Sequence, residues 1–387
     1  MPWRFAQIAD VHLNARLPGI NFQLARAIRR TIHEVFSECL RMAAQEGCRV
    51  VLLPGDLYEL KADGAREALQ FFFEEAAKYP QMQFIVSPGN EDAYNDTCPY
   101  AYLQAPDNVF IFTEQDWQAI EVEDVMVIGR AYQVGRGVPA MDWANLPPSS
   151  SSEYSVLMIH GKLSGVDLEY KQAFDGTVID PDKLLRTGYS YTALGHLHAS
   201  AELQNGRGGI AAAYCGPPQR VDWDGRSPGG FLIGDFTPGG VELKYIQTAR
   251  LFWETRVIKL PQLYQAEYEA KLMAALQRVN DDLHTALLYQ PIVQGPLPVK
   301  REPELKQRLS KAHDEVFYFE EPNLSGMKLT EEPEPNELPK ESLLSLFLQR
   351  CAAEEAQSNI DAKTYALVRR LGWQLLMGQG LPAEITE

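Results

Sequence analysis

Short apolar runs alternate with amphipathic stretches along the first 250 residues of the chain, and this alternation predicts a layered α/β fold. Runs such as Phe5–Ala9, Arg49–Leu53 and Gln83–Val86 have the length and composition of buried strands. Between them, Asn21–Gln45 and Gly64–Lys78 repeat apolar residues at the spacing of helices. Later strands have shorter connections and predict a second, more antiparallel sheet packed on the first; they are Val125–Ile128, Ser155–Ile159, Tyr191–Leu194, Ile210–Ala213 and Phe231–Phe236.

The pattern changes near residue 250, and the sequence predicts four segments. Residues 1–250 form the main domain, a two-sheet α/β sandwich, and residues 251–321 form a small α/β domain of short strands and helices. Residues 322–340 contain four prolines and several glutamates, which is the composition of an extended linker. Residues 341–387 form a C-terminal helical hairpin.

Each helix of the predicted hairpin carries an apolar stripe. The first stripe contains Leu344, Phe347, Leu348 and Cys351, and the second contains Leu367, Leu371 and Leu375. A hairpin beyond a proline-rich linker can bury little of itself. The stripes therefore either pack back on the body of the protein or dock on a partner, and periodicity alone favours neither.

Composition narrows the class of protein. With 45% hydrophobic residues the chain can bury a sizeable core, which excludes disorder of the whole chain. Its 36 basic and 52 acidic residues give a net charge of −16, which counts against a stand-alone DNA clamp, because phosphate neutralisation drives that affinity. This charge does not exclude an enzyme that binds DNA through its own metal cations or through a basic partner.

The cysteines and the apolar runs indicate a cytoplasmic protein. The five cysteines are widely spaced and include no CxxC pair, so neither a disulfide framework nor a zinc knuckle is expected. The opening MPWRFAQIADVHL resembles a strand and not a signal peptide. No run approaches the ~18 apolar residues that a membrane span requires.

Potential metal ligands follow the predicted strands, at the end of a sheet where loops converge on one crevice. Asp10 and His12 follow the first strand, and the others are Asp56, Asn90, His160, His196 and His198. Carboxylates, a carboxamide and imidazoles together suit divalent cations such as manganese, iron or zinc. Four of the seven histidines fall in this ordered series. The sequence therefore predicts a two-metal centre in which one carboxylate bridges the ions.

The ordered series D-x-H, G-D, G-N, H, G-H-x-H resembles the calcineurin-like metallophosphoesterases. Two further stretches resemble the DNA-repair nucleases of the SbcD and YhaO type: DVHLNARLPGI at the start, and the Gly216–Arg220 run GPPQR after GHLH. The resemblance covers residues 1 to about 320 in layout. It implies that the segment 251–321 is that group's capping domain.

The resemblance implies a ligand set for each of two metal ions, commonly manganese. One ion would be held by Asp10, His12, Asp56 and His198, and the other by Asp56, Asn90, His160 and His196. It also implies DNA as substrate, with cleavage of ends or single strands. A homodimer is implied through helices near Gly64–Lys78 and Tyr100–Gln104. The C-terminal helices would bind an SMC-like coiled-coil ABC ATPase of the SbcC and YhaN type.

This chain departs from the family beside Asn90. The family's third motif reads G-N-H-D or G-N-H-E, whereas this chain has Glu91 in place of the histidine that assists the leaving oxygen. Some members also carry a histidine where this chain has Glu59. Glu91 and the bridging Asp56 are the candidate catalytic residues. An ionised Glu91 would be a poor acid and would repel a phosphodiester.

Three functions stay open at this point. The first is a DNA nuclease that works with the ATPase in end processing, repair or defence. The second is a catalytically attenuated, metal-binding subunit that binds DNA ends or regulates the ATPase. The third is a phosphodiesterase of small substrates, although a small substrate needs neither the capping segment nor the hairpin.

Overall fold

The computed structural model divides into two compact units, Met1–Trp253 and Glu254–Glu387. The structure describes residues 3–20, 22–122, 124–133, 141–149, 153–165, 177–206, 208–221, 228–237, 240–259, 286–297, 307, 318–319, 323–329, 342–355, 368, 371–372 and 375–376. Within these ranges, no helix combines the length and the apolar character needed to cross a bilayer. All five cysteines are free and buried, which confirms that disulfides do not hold this fold.

The first part of unit 1 alternates strands and helices. Its elements are β1 (Arg4–Gln7), α1 (Phe22–Gln45), β2 (Val50–Leu53), α2 (Ala65–Ala77), β3 (Gln83–Val86), α3 (Pro99–Tyr102) and β4 (Val109–Ile111). Strands β1 to β4 pair in parallel in chain order. In α1 the buried residues Ile28, Ile32, Val35 and Cys39 recur every three or four positions, as expected for one face of a helix.

The second part of unit 1 is a mixture of parallel and antiparallel pairs. Its elements are β5 (Gln118–Val122), β6 (Val125–Gly129), β7 (Tyr154–Leu163), β8 (Thr177–Ile179), α4 (Pro181–Leu185), β9 (Tyr191–Gly195), β10 (Ala201–Gln204), β11 (Ile210–Tyr214), β12 (Gly230–Thr237) and β13 (Gly240–Gln247). Strands β6, β7, β9 and β11 pair in parallel. The antiparallel pairs are β5 with β6, β10 with β11, and β12 with β13.

The two predicted sheets are parts of one 13-stranded sheet, because β12, predicted in the second sheet, pairs antiparallel with β1 of the first. The mixed α/β class is confirmed. The strand order is β4-β3-β2-β1-β12-β13-β11-β9-β7-β6-β5. One registered pair, Ile210 with Val241, joins β11 to β13. An apolar core packs residues from both ends of this strand order together, and a second apolar cluster packs against β6, β7, β9 and β11. Phe5 of β1 lies 5.2 Å from Tyr191 of β9, measured between ring centroids.

A buried glutamine ties the two halves together near the ends of their strands. The side-chain amide of Gln7 in β1 donates to the carbonyl oxygens of Leu194 and Ala213, at 3.0 and 2.9 Å. The Tyr191 hydroxyl donates to the amide oxygen of Gln7 at 2.6 Å. Because every polar atom of this side chain is paired, its burial costs little. It fixes β1 beside the ends of β9 and β11, and candidate ligands follow β1 and β9.

Part of the predicted linker, residues 322–340, is a strand in the structure. Strand β14 (Leu251–Lys259) is followed by β15 (Ala286–Leu297), β16 (Tyr318–Phe319), β17 (Asn323–Leu329) and α5 (Leu343–Glu355). Residues Asn323–Leu329, which the proline and glutamate content assigned to a linker, form β17 and pair in parallel with β15. Residues 330–341 lie outside the described ranges. The capping domain stays a prediction.

The predicted C-terminal hairpin is described only in part. Helix α5 contains the first apolar stripe, and its Leu348 and Cys351 are buried, so the chain itself covers this part of the stripe. In the second stripe Leu375 is 54% exposed, and Leu367 lies outside the described residues. The hairpin and its docking on an ATPase therefore stay predictions.

Candidate metal centre

All seven residues of the predicted series lie together at one end of the sheet. Asp10 and His12 follow β1, Asp56 follows β2, and Asn90 follows β3; His160 lies in β7, while Gly195 ends β9 just before His196 and His198. Loops from both halves of the sheet therefore meet here. Backbone bonds hold two of these loops side by side, since the amides of Asp10 and His12 donate to the carbonyls of Gly55 and Asp56.

One group of side chains converges on His160. Its Nε2 atom lies 2.9 Å from Asn90 Oδ1, 3.3 Å from Asp56 Oδ2 and 3.2 Å from His196 Nδ1. Asn90 Oδ1 also lies 3.1 Å from His196 Nδ1. Potential ligand atoms of Asp56, His160 and His196 all lie within 4.8 Å of one another, a spacing that can hold a metal ion.

A second group shares Asp56 with the first. His12 Nε2 lies 3.2 Å from His198 Nε2 and 4.0 Å from Asp56 Oδ2. Asp10 is fully buried, and its Oδ1 accepts the backbone amide of His196 at 2.8 Å. Its Oδ2 is buried without a hydrogen-bond partner among the described residues. A buried carboxylate oxygen is costly to leave unpaired, so this atom fits a ligand of a cation.

His160 lies inside a strand and not, as predicted, at the end of one. Strand β7 continues to Leu163 because β8 pairs with it beyond the predicted end, Gly161 opposite Thr177. His160 Nδ1 lies 3.0 Å from the carbonyl oxygen of Pro54. A carbonyl only accepts, so Nδ1 carries the proton and Nε2 is left for a metal.

The backbone is strained at the candidate ligands. Asp10, His12, Asp56 and His196 have φ angles of 55°, 49°, 54° and 99°, and they are the non-glycine residues with positive φ in the described part of the chain. Such conformations cost on the order of 1–3 kcal/mol each and cluster at functional sites. The loops therefore hold these side chains in conformations that an unconstrained chain would avoid.

Close packing of the loops requires glycine at two positions. A Cβ atom at Gly195 would lie 1.9 Å from the carbonyl oxygen of Pro54, and one at Gly89 would lie 2.4 Å from Asp56 Oδ1. The second would also lie 2.8 Å from the His160 ring. Glycine at both positions therefore lets the strand ends approach closely enough for the ligands to meet.

Burial and the charges of neighbouring side chains shift the pKa values of the candidate ligands. Burial opposes the charging of His12 and His160, yet Glu59 and Asp56 raise the pKa of His12 to about 9, and Asp56 raises the pKa of His160 to about 9. Burial also opposes the ionisation of Asp56, but these histidines lower its pKa. Burial, reinforced by His160, lowers the pKa of His196 to about 3. Metal binding here would release protons.

Asp92 organises the loops, and the sequence analysis did not single it out. Its Oδ1 accepts the backbone amides of Asp56 at 3.0 Å and Gly89 at 2.6 Å. Its Oδ2 accepts the amide of Leu57 at 3.0 Å and the hydroxyl of Tyr100 at 2.7 Å. Asp92 is fully buried, so these four donors offset the cost of burying its carboxylate. It joins the loop of Asp56 to that of Asn90.

The two acidic departures from the family lie beside the centre. The backbone amide of Glu91 donates to Asp56 Oδ1 at 2.9 Å, and Glu59 Oε1 lies 3.4 Å from His12 Nδ1. Glu59 can therefore orient the His12 ring through the nitrogen that faces away from His198. Burial, together with Asp56 and Glu59, raises the pKa of Glu91. Both carboxylates also contact Arg16, which sequence reasoning missed.

The donor set fits two divalent cations that share Asp56. Carboxylate and carboxamide oxygens with imidazole nitrogens suit manganese, iron or zinc, and the unpaired Asp10 Oδ2 needs a positive partner.

In the GPPQR run, residues Gly216–Arg220, Gln219 has a structural role. Its amide donates to the carbonyl of Leu251 at 2.7 Å, and its oxygen accepts the amides of Arg250 and Leu251.

Comparison with known proteins matches residues 4–218 to the calcineurin-like phosphoesterases. The chain is 23% identical over 300 residues to the uncharacterized metallophosphoesterase YhaO of Bacillus subtilis, which covers 73% of this chain and 68% of that protein. It is 23% identical over 214 residues to the DNA double-strand break repair protein Mre11 of Saccharolobus solfataricus. That match covers 54% of this chain and 53% of Mre11, so it spans about half of that relative.

Among solved structures, a dimetal phosphatase from Danio rerio is similar, with 12% identity and a TM-score of 0.38. The match covers 64% of this chain and 100% of that protein. The family match spans more than half of the 387 residues and includes every candidate ligand. The chain belongs to the calcineurin-like phosphoesterase family, whose members are metal-dependent phosphoesterases.

Proposed function

We propose that this chain is a two-metal DNA nuclease that hydrolyses phosphodiester bonds with manganese ions. The observation that carries the proposal is the convergence of nitrogen and oxygen atoms from both halves of the sheet on Asp56. One ion would be held by Asp10, His12, Asp56 and His198, and the other by Asp56, Asn90, His160 and His196, so that Asp56 belongs to both ligand sets.

When bound, a pair of cations neutralises phosphate charge and activates the attacking water. The chain's own residues fix where this happens. Pro54 orients His160 through Nδ1, and Asp92 sets the position of the Asp56 backbone. Glu59 contacts the nitrogen of His12 that faces away from His198. Such outer contacts hold ligands in one geometry before substrate arrives, which lowers the cost of reaching the transition state.

DNA as substrate is supported by the likeness to Mre11, which is named a DNA double-strand break repair protein. The net charge of −16 supports a partner, because an acidic chain gains affinity for DNA from basic surfaces elsewhere. The proposed partner is an SMC-like coiled-coil ABC ATPase of the SbcC and YhaN type. The nuclease acts as a homodimer in the cytoplasm, in DNA end processing, repair or defence.

The direct test is metal-dependent cleavage of DNA. We expect protein stripped with a chelator to be inactive and to recover activity when manganese is added, because the cations neutralise the phosphate. Product lengths on end-labelled linear and single-stranded DNA would report the activity. A chromogenic phosphodiester assayed in parallel separates a nuclease from an enzyme of small substrates. Absence of cleavage with manganese, magnesium or zinc, with and without the ATPase, would contradict the proposal.

A second candidate function is a catalytically attenuated subunit that binds DNA ends or regulates the ATPase. Glu91 favours it, since this position carries a carboxylate where the family has histidine and lies one hydrogen bond from Asp56. A negative side chain there repels a phosphodiester and assists the leaving oxygen poorly.

Replacing Glu91 with histidine distinguishes these candidates. If the wild-type protein is an active nuclease, as proposed, we expect Glu91→His to change kcat on the chromogenic phosphodiester by less than about tenfold. An attenuated protein would instead gain ~10²–10⁴-fold, which is the usual contribution of general acid–base assistance. Glu91→Gln is the matched control, because it removes the charge without supplying a proton donor. A large gain with histidine alone would favour the attenuated subunit.

A further inference from the structure

Arg16 lies between the two acidic residues that replace histidines of the family. Its Nε atom donates to Glu59 Oε2 at 2.9 Å, and its Nη2 atom donates to Glu91 Oε2 at 3.4 Å. Glu59 and Glu91 come from the loops that follow β2 and β3, whereas Arg16 comes from the loop that follows β1. One guanidinium therefore joins all three loops of this half of the centre.

The backbone around Arg16 is held in place. The Asn14 side chain donates to the Glu59 carbonyl at 2.9 Å and accepts the Glu59 amide at 2.7 Å. Arg29 of α1 donates to the carbonyl of Ala15 at 2.9 Å. These bonds fix the backbone on one side of Arg16, and the contacts with Glu59 and Glu91 position its guanidinium.

The Arg16 guanidinium contacts two residues that in turn contact proposed metal ligands. Glu91, which it contacts, donates its amide to Asp56, and Glu59, which it also contacts, lies 3.4 Å from the His12 ring. The Arg16 side chain is nevertheless 54% exposed, whereas that of Glu59 is 9% exposed. A molecule that approaches the centre from solvent can therefore reach the arginine.

The hydrogen-bonding capacity of Arg16 is only partly used. A guanidinium offers five N–H donors, and the contacts with Glu59 and Glu91 use Nε and one N–H of Nη2. Both N–H groups of Nη1 have no partner among the described residues. A guanidinium fork matches two oxygens of a phosphate group, which makes arginine the preferred side chain for this contact.

The charges beside the centre also favour contact between Arg16 and an anionic phosphate. Without Arg16, the carboxylates of Glu59 and Glu91 would present two negative charges beside a centre that must accept an anionic phosphodiester. A cation placed between them offsets this repulsion, and its free edge adds attraction for the phosphate. The glutamates orient the arginine and leave donors available, so the three residues act as one unit.

We infer that Arg16 binds the substrate phosphodiester at the edge of the metal centre and supplies positive charge beside the carboxylates of Glu59 and Glu91. This inference rests on the proposed function, because it assigns Arg16 a role in that same reaction. Arg16 is the group that touches substrate, and Glu59 and Glu91 are positioning residues that hold it.

The test compares Arg16→Gln and Arg16→Lys with Arg30→Gln. Arg30 is an exposed arginine of α1 that pairs with Glu34 and serves as the matched control. We expect Arg16→Gln to lower kcat/KM on bis(4-nitrophenyl) phosphate about 10- to 100-fold, the range for loss of a charge-assisted hydrogen bond. Arg16→Lys should fall between it and the wild type, because lysine keeps the charge and loses the fork. Arg30→Gln should match the wild type.

A binding measurement separates this inference from the proposed function. Titration calorimetry with inorganic phosphate on manganese-loaded protein should show weaker binding for Arg16→Gln, with unchanged metal content by elemental analysis. If the wild-type protein cleaves nothing, the proposed function fails, and the phosphate titration still tests Arg16. The inference is overturned if Arg16→Gln binds phosphate like the wild type, or if it loses metal in proportion to activity.

A double variant adds an internal check. In Arg16→Gln combined with Glu91→His, the histidine should recover part of the lost kcat/KM, because it returns positive charge to the edge of the centre. Equal losses in the single and double variants would count against a charge role for Arg16.

Discussion

Replacing Asp56 with asparagine is expected to abolish phosphodiester cleavage. Asp56 Oδ2 faces His160 on one side and His12 on the other, so one carboxylate serves both proposed ions. Asparagine keeps the shape and an oxygen that can accept the Glu91 amide, but it removes the negative charge that two cations share. Loss of one group that stabilises the transition state costs ~10²–10³-fold, and loss of a shared ligand should exceed ~10³-fold.

This prediction is tested by measuring the rate of phosphodiester cleavage and the amount of bound manganese on the same protein. Elemental analysis after dialysis should show less than the wild-type amount of manganese in Asp56→Asn. Asp107→Asn is the matched control, because Asp107 is exposed on the turn before β4, whereas the ligands follow the parallel strands β1 to β3 at their other ends; it should behave as the wild type in both measurements. Full metal content and normal kcat in Asp56→Asn would show that Asp56 does not bridge the ions.

Replacing Gly89 with alanine should inactivate the enzyme without changing any functional group. The added methyl group would lie 2.4 Å from Asp56 Oδ1 and 2.8 Å from the His160 ring, and neither side chain is free to withdraw. His160 is held by Pro54, and the Asp56 backbone is held by Asp92. A displacement of about 1 Å at a reacting centre can cost ~10²-fold, so we expect kcat to fall by at least that factor.

The alanine control is Gly206→Ala, where nothing lies within 4 Å of the added carbon. Circular dichroism should show folded protein for both variants, and elemental analysis should show reduced manganese only for Gly89→Ala. If Gly89→Ala kept full metal content and wild-type kcat, Asp56 and His160 would not have to occupy their observed positions for catalysis.

Much of the candidate centre could be predicted because its residues follow strands. The strand patterns are local, and an open α/β sheet brings strand ends to one place. Asp10, Asp56, Asn90 and His196 were therefore predicted together and lie together. His160 was predicted as a candidate with the wrong backbone context, because the end of β7 depends on pairing with β8, which no local pattern records.

The residues around the ligands could not be predicted in the same way. Arg16 is 43 and 75 residues away from the glutamates it contacts, and a single sequence contains no signal that pairs them. Asp92 adjoins the third motif, yet its role is visible only once four donors surround it. Likewise β17 lies beside a proline-rich stretch, and its pairing with β15 outweighs the local composition.

Within the large sheet, β13 is joined to β11 by one registered pair, Ile210 with Val241, whereas the proposed ligands follow or lie in strands on both sides of that junction. Cations held by Asp56 on one side and His160 on the other would cross-link the strands on the two sides of that junction. A ligand that binds only the folded chain stabilises it by mass action, by about 2.7 kcal/mol at a concentration a hundred times its Kd. The lifetime of the protein would then follow the supply of the cation, and metal starvation would lead to its proteolysis as well as to loss of its chemistry.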